Sequence, residues 1–161
     1  MPTPPYITKL RLAYGSGPLL LPGVCGVVLR DDPATGRQQL LLGRRSDTGR
    51  WALPAGIVEP GEQPATTLVR ELWEETRVVV TVERLAWVVA QPELVYPNGD
   101  RCQFITSVFR CRYVSGEAAV GDEESSAVDW FDLDALPELQ TKERDAIDTA
   151  LSERQECRFE V

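Results

Sequence analysis

The chain has no histidine among its 161 residues. That absence removes Ser-His-Asp and Cys-His nucleophilic catalysis, histidine-ligated zinc and imidazole as a general base. Acid–base chemistry must fall to carboxylates, metal-bound water, tyrosine or lysine. Cysteine is scarce: Cys25, Cys102, Cys111 and Cys157 form no CxxC pair or other zinc spacing, and read as small buried thiols in a reducing cytosol. No apolar run is long enough to span a membrane, and the opening MPTPPYITKLRLAYG lacks the apolar core of a secretory signal, so a cytoplasmic protein without membrane contact is expected. The glycines at 15 and 17 do not continue into a dinucleotide-binding GxGxxG, and no internal repeat or low-complexity segment occurs. Positive charge is also short. The net charge of −8 argues against gripping polymeric nucleic acid by its phosphates. Small phosphorylated ligands stay compatible, because a bound divalent cation inverts the local sign.

With 43% hydrophobic and 26% charged residues, the chain reads as one globular domain. Residues 1–20 read as an arm, with prolines at 2, 4 and 5, an amphipathic piece over 7–14 and a flexible joint at 15–17. Residues 21–161 form the domain proper. The arm packs back on that domain or reaches a second subunit, so a homodimer stays open.

The stretch that organises the rest is GIVEPGEQPATTLVRELWEETRV, residues 56–78. If Pro64 opens a helix, Glu71, Glu74 and Glu75 stand at i, i+3 and i+4 and share one face. Ala65, Leu68, Val69, Leu72 and Thr76 fall on another face, roughly 120° away, built to be buried. Like charges at helical spacing repel. A cation among them resolves the repulsion, and hard oxygen ligands favour Mg²⁺ or Mn²⁺. The plainer alternative is a solvated acidic helix face.

Around this helix the chain alternates strand and turn. VCGVVLR (24–30) and QLLLGR (39–44) read as strands joined by the DDPATG turn. VVVTVERLAWVVA (78–90) and CQFITSVFRCRY (102–113) pair as a hairpin closed by YPNGD. A short strand over 127–131 precedes a last helix over about 140–151, and the final SERQECRFEV frays or adds an edge strand. This is an α+β order. Arg44 and Arg45 are candidate diphosphate clamps, with a surface ion pair as the alternative. Tyr96 offers a stacking face and Asp100 a ribose acceptor, although both also suit a turn. Trp51 reads as a core plug.

Gly56, Glu62, Arg70, Glu71, Glu74 and Glu75, with Leu72 and Val78 apolar, resemble the signature of the Nudix hydrolases, which cleave nucleoside diphosphates linked to another moiety. The resemblance covers roughly residues 20–152 and implies an α/β/α sandwich with a mixed β-sheet between helices. It implies Mg²⁺ (or Mn²⁺) held by Glu71, Glu74, Glu75 and the Ala55 carbonyl, with Glu124, or Glu123 behind it, completing the site from the acidic loop. Arg70 would orient one carboxylate and Glu62 would hold a water or a metal. The proton acceptor is Glu124, Glu74 or Glu62. The implied activity is metal-dependent cleavage of the diphosphate linkage of ADP-ribose, a nucleotide sugar, a dinucleoside polyphosphate or a nucleoside triphosphate. A Nudix-shaped module that binds a nucleotide without cleaving it is the alternative. Two positions depart from the signature: Ala55 and Arg77 stand where the family usually has glycine. A left-handed helix end costs arginine roughly 1 kcal/mol or more. Either the helix ends differently, or Arg77 bears the strain and brings its guanidinium near the site.

Overall fold

Strand β1 (Pro18–Asp31) buries both of its faces, which makes it the middle of the molecule. In the computed structural model, which describes residues 4–96 and 98–161, Val27 and Leu29 enter one apolar cluster while Val24 and Val28 enter another. Successive strand side chains leave opposite faces, so an unbroken apolar run needs cover on both sides. Residues 1–3 of the expected arm and Pro97 of the YPNGD turn lie outside the described residues.

The remaining strands are β2 (Gln38–Arg45), β3 (Trp51–Ala52), β4 (Ala55–Ile57), β5 (Val79–Ala90), β6 (Leu94–Val95), β7 (Arg101–Ser115), β8 (Ser125–Asp132) and β9 (Arg158–Phe159). They form one mixed sheet in the order β3-β2-β1-β7-β5-β9, with β4 added to β1, β6 to β7 and β8 to β2. The β1–β7 and β5–β9 pairs are parallel; the others are antiparallel. Helix α2 (Pro64–Thr76) covers one face through Leu68 and Leu72, and α3 (Thr141–Leu151) covers the other through Ala146, Ile147 and Ala150. The expected α+β sandwich, with its sheet between helices, is therefore present.

Burying Leu68 and Leu72, both 0% exposed, contributes about 1.5–3 kcal/mol each. Their close seat depends on Gly26 of β1, where an added Cβ would stand 3.2 Å from Leu68 Cδ1. The arm packs back on the domain: α1 (Pro5–Tyr14) buries Ile7 against Leu21 and Cys102, and Tyr6 Oη donates to the Val58 carbonyl at 3.2 Å. Strand β1 starts at Pro18, inside the segment expected to be arm, because it pairs with β7 from that residue onward. The Trp51 ring meets Phe131 edge to face at 4.8 Å, a core contact. All four cysteines are free; Cys102 and Cys111 are buried, whereas Cys25 and Cys157 are only partly so.

The buried face of α2 differs from the expected one. Val69 is 37% exposed, while Thr67, Glu71 and Glu75 are buried. Glu75 follows Leu68 by seven residues, close to two full turns, and so lies beneath it on the helix. The carboxylate side and the apolar side overlap, and both turn inward.

Candidate active site

Helix α2 begins at Pro64, whose fixed φ suits a first helical position. It ends on Arg77 in the left-handed conformation (φ 60°, ψ 18°), with the Arg77 N–H donating to the Trp73 carbonyl at 3.1 Å. Of the two routes open at this position, the chain takes the strained one. The guanidinium, however, turns to the Gly121 carbonyl at 2.7 Å rather than to the glutamates.

Arg70 is the hub of the acidic cluster. Its Nε and Nη2 form a fork on Glu62, each at 2.9 Å, and its Nη1 lies 3.2 Å from Glu74 Oε2. Glu62 also accepts from Thr67 Oγ1 at 2.8 Å. Arg70 first, and Thr67 second, hold the Glu62 carboxyl down at about 2. Glu71 is 0% exposed. Arg70 Nη1 stands 3.1 Å from its Oε1 but is poorly aimed, and neither Glu71 oxygen receives a hydrogen bond. Burial pushes Glu71 up to about 7 against the pull of Arg70. Burial, then repulsion from Glu71 and Asp122, pushes Glu75 up to about 8. Gly56 in β4 leaves the space this arrangement needs: a Cβ there would overlap Glu71 Cγ and Cδ and stand 2.6 Å from Oε1.

Beside the helix a cleft is lined by Arg45, Ala55, Glu75 and Glu124, among others. The expected site residues take distinct places. Arg45 reaches the cleft and pairs with Asp47 at 2.6 Å. Arg44, its neighbour on β2, is absent from the lining and donates Nε to the Gly49 carbonyl at 2.9 Å. Arg45 lines the cleft with Gly43, two residues before it on β2, and the pairing of β2 with β8 shifts register between Arg44 and Arg45. Asp100 is drawn to Arg11 of α1, 3.6 Å away, and accepts from Asn98 Nδ2 at 3.0 Å. Tyr96 is 44% exposed and outside the cleft; burial of its hydroxyl raises its pKa, while Arg45, within electrostatic reach, pulls it down. Glu124 lines the cleft, whereas Glu123 is exposed and lends its carbonyl to Ser46 Oγ at 2.8 Å. Asp122, not singled out from sequence, bears on Glu75; its signal was the run of acids that contains it.

Among the described residues no three acidic side chains are drawn together into a finished metal cage. Arg70 gathers Glu62, Glu71 and Glu74 to itself, while Glu75 turns to the cleft. The residues nevertheless fit a divalent ion. Both Glu71 oxygens are buried and accept no hydrogen bond; Arg70 stands 3.1 Å from Oε1, yet burial still disfavours the carboxylate charge, which a divalent ion would offset. Mg²⁺ keeps several of its waters, so it needs no complete protein cage.

The shifted carboxyls give stability a pH dependence of known sign. Glu71 and Glu75 carry folded pKa values of about 7 and about 8 against an ordinary 4.5. Their contribution is fully present below that ordinary value and is lost as pH rises through the folded ones. Glu62 is the reverse, since its contribution holds above 4.5 and is lost as pH falls toward about 2. Metal-free protein should therefore melt at a lower temperature at about pH 8 than at about pH 5. Adding Mg²⁺ at roughly a hundred times its Kd should restore about 2.7 kcal/mol, or about 5–10 °C, near pH 8. The gain should shrink near pH 5, where protons compete for the ligands. A fluorimetric melt shows this directly, and an increment independent of pH would argue against carboxylate ligation.

The NUDIX domain family profile matches residues 20–151. The chain belongs to the Nudix hydrolase family, whose members act on pyrophosphate bonds and generally use divalent metal ions. A MutT-like protein of Streptomyces ambofaciens is 42% identical over 123 residues, covering 76% of this chain and 71% of that protein. The ADP-ribose pyrophosphatase of Methanocaldococcus jannaschii is 34% identical over 118 residues, covering 72% of this chain and 64% of that protein. The chain thus spans less than two thirds of the archaeal relative. The crystal structure of a MutT Nudix hydrolase from Burkholderia pseudomallei matches with a TM-score of 0.64 at 27% identity, over 81% of this chain and 97% of that one.

Proposed function

We propose that the chain is a Mg²⁺-dependent pyrophosphohydrolase of a nucleoside diphosphate derivative, with Mn²⁺ as a substitute and ADP-ribose as the leading substrate. The observation that carries this reading is the fully buried Glu71 carboxylate, which accepts no hydrogen bond although Arg70 stands 3.1 Å away, beside Glu75 at the wall of a cleft. A divalent ion bound there supplies the positive charge that neutralises diphosphate oxygens and acidifies water. Glu71, Glu74, Glu75 and the Ala55 carbonyl are the ligands. Arg70 orients Glu71 and Glu74 from the side. Arg45 exchanges Asp47 for a phosphate oxygen pair, as a planar fork can. Glu124 takes the proton of the attacking water: it lines the cleft with Glu75, whereas Glu62 and Glu74 are not part of that lining. ADP-ribose leads because the archaeal relative is named for it.

Incubating the protein with ADP-ribose, a nucleotide sugar, a dinucleoside polyphosphate and a nucleoside triphosphate in Mg²⁺, with products weighed by mass spectrometry, tests the proposal. ADP-ribose should give AMP and ribose 5-phosphate. Tight calorimetric binding with no cleavage of any compound would leave a nucleotide-binding module instead. Glu124→Gln should lower kcat by about 10²-fold or more, the usual contribution of a positioned base, with the melting temperature unchanged. Full activity in that variant would move the proton to another residue.

A further inference from the structure

Arg77 is the single non-glycine residue with positive φ among the described residues. Such a conformation persists where the surroundings hold it in place. Here the side chain is in use: Nη2 donates to the Gly121 carbonyl at 2.7 Å, and the guanidinium lies 5.7 Å from the Trp73 ring centre. The segment it grips is fitted closely to the end of α2. The Gly121 N–H donates to the Glu75 carbonyl at 2.9 Å, and the Ala119 N–H donates to the Thr76 carbonyl at 3.0 Å. A Cβ at Gly121 would overlap the Glu74 carbonyl, and one at Gly116 would overlap the carbonyl of Arg77 itself. Directly beyond Gly121 come Asp122, whose charge bears on Glu75, and Glu124, which lines the cleft with Glu75.

We infer that Arg77 is a positioning residue: by holding the Gly121 carbonyl it staples residues 119–124 to the last turn of α2 and sets where Glu124 stands relative to Glu75. The catalytic consequence rests on the hydrolase reading above; the staple itself does not. A glycine at this position would relax the helix end, yet it would give up the guanidinium. Stability and positioning therefore move in opposite directions on substitution, which separates the two roles.

The test uses the full chain with Arg77→Gly and Arg77→Asn, since both residues tolerate a left-handed helix end and neither carries a guanidinium. Amide hydrogen exchange of 119–124, read by mass spectrometry, should quicken about 5- to 10-fold, with exchange in the middle of α2 unchanged and the melting temperature equal or higher. With substrate, kcat should fall about tenfold and KM stay within about twofold. In a Glu124→Gln background, Arg77→Gly should cost less than about twofold more, because nothing remains to be positioned. Unchanged exchange in both variants, or penalties that multiply in the double variant, would overturn the inference. Quickened exchange in a protein that cleaves nothing would keep the staple and remove the hydrolase reading.

Discussion

Glu75→Gln should lower kcat by about 10²- to 10³-fold, with a melting temperature in metal-free buffer that is unchanged or higher. The two halves of this result come from one observation. Glu75 is 9% exposed, and burial together with Glu71 and Asp122 raises its pKa to about 8. Glutamine matches it in size and carries no charge, so it removes a group that the folded protein holds at a disadvantage. On the proposed reading, the same substitution also removes an anionic ligand of the metal ion. The Mg²⁺-dependent gain in melting temperature should therefore shrink along with turnover. Steady-state kinetics at saturating Mg²⁺ and paired melts with and without the ion decide the matter. Retained turnover would strip Glu75 of its assignment. A collapsed melt would mean that the residue serves the fold alone.

Gly56→Ala should damage both stability and activity. Its Cβ would overlap Glu71 Cγ and Cδ, and Glu71 is 0% exposed with nowhere to retreat. Overpacking of this kind costs about 1–3 kcal/mol, which corresponds to a fall of about 3–10 °C in melting temperature. Activity should fall by about 10²-fold or more, because a carboxylate displaced by about 1 Å no longer meets its ion or substrate correctly. Shortening the partner gives the control. Gly56→Ala with Glu71→Asp should recover most of the melting temperature without recovering turnover. If the single variant is fully active and stable, the close fit of β4 over α2 has no part in the site.

Much of this was legible in the sequence because the signals were local and periodic. VCGVVLR reads as a mostly buried strand, and the structure buries it on both faces. Pro64 announces the start of α2, and a left-handed Arg77 was one of two stated ends for it. What failed needed knowledge of distant partners. A helical wheel separates Glu75 from Leu68 only if the apolar stripe is assumed to be narrow; the sheet and the 119–121 segment wrap enough of α2 to bury both. The partner of Asp100 was not legible either: α1 brings Arg11 within 3.6 Å, a contact between residues far apart in the chain. Of Arg44 and Arg45, only Arg45 lines the cleft, because Arg44 turns to the Gly49 carbonyl. Arg70 was expected to hold one carboxylate and instead touches Glu62, Glu71 and Glu74, because the turn before α2 folds Glu62 back onto the helix.

The parallel pairing of β1 with β7 has a consequence for how the molecule comes into being. Pro18 has Arg101 as its partner and Leu29 has Arg112. On the ribosome, the first core strand is finished long before its neighbour has been made. The β1–β2 hairpin can form early, since its turn is short, but α2 emerges with both its leucines and its inward glutamates lacking the sheet that shelters them. Until residue 112 has left the exit tunnel, the nascent chain presents that helix to solvent, which makes this interval the point at which chaperones would matter most.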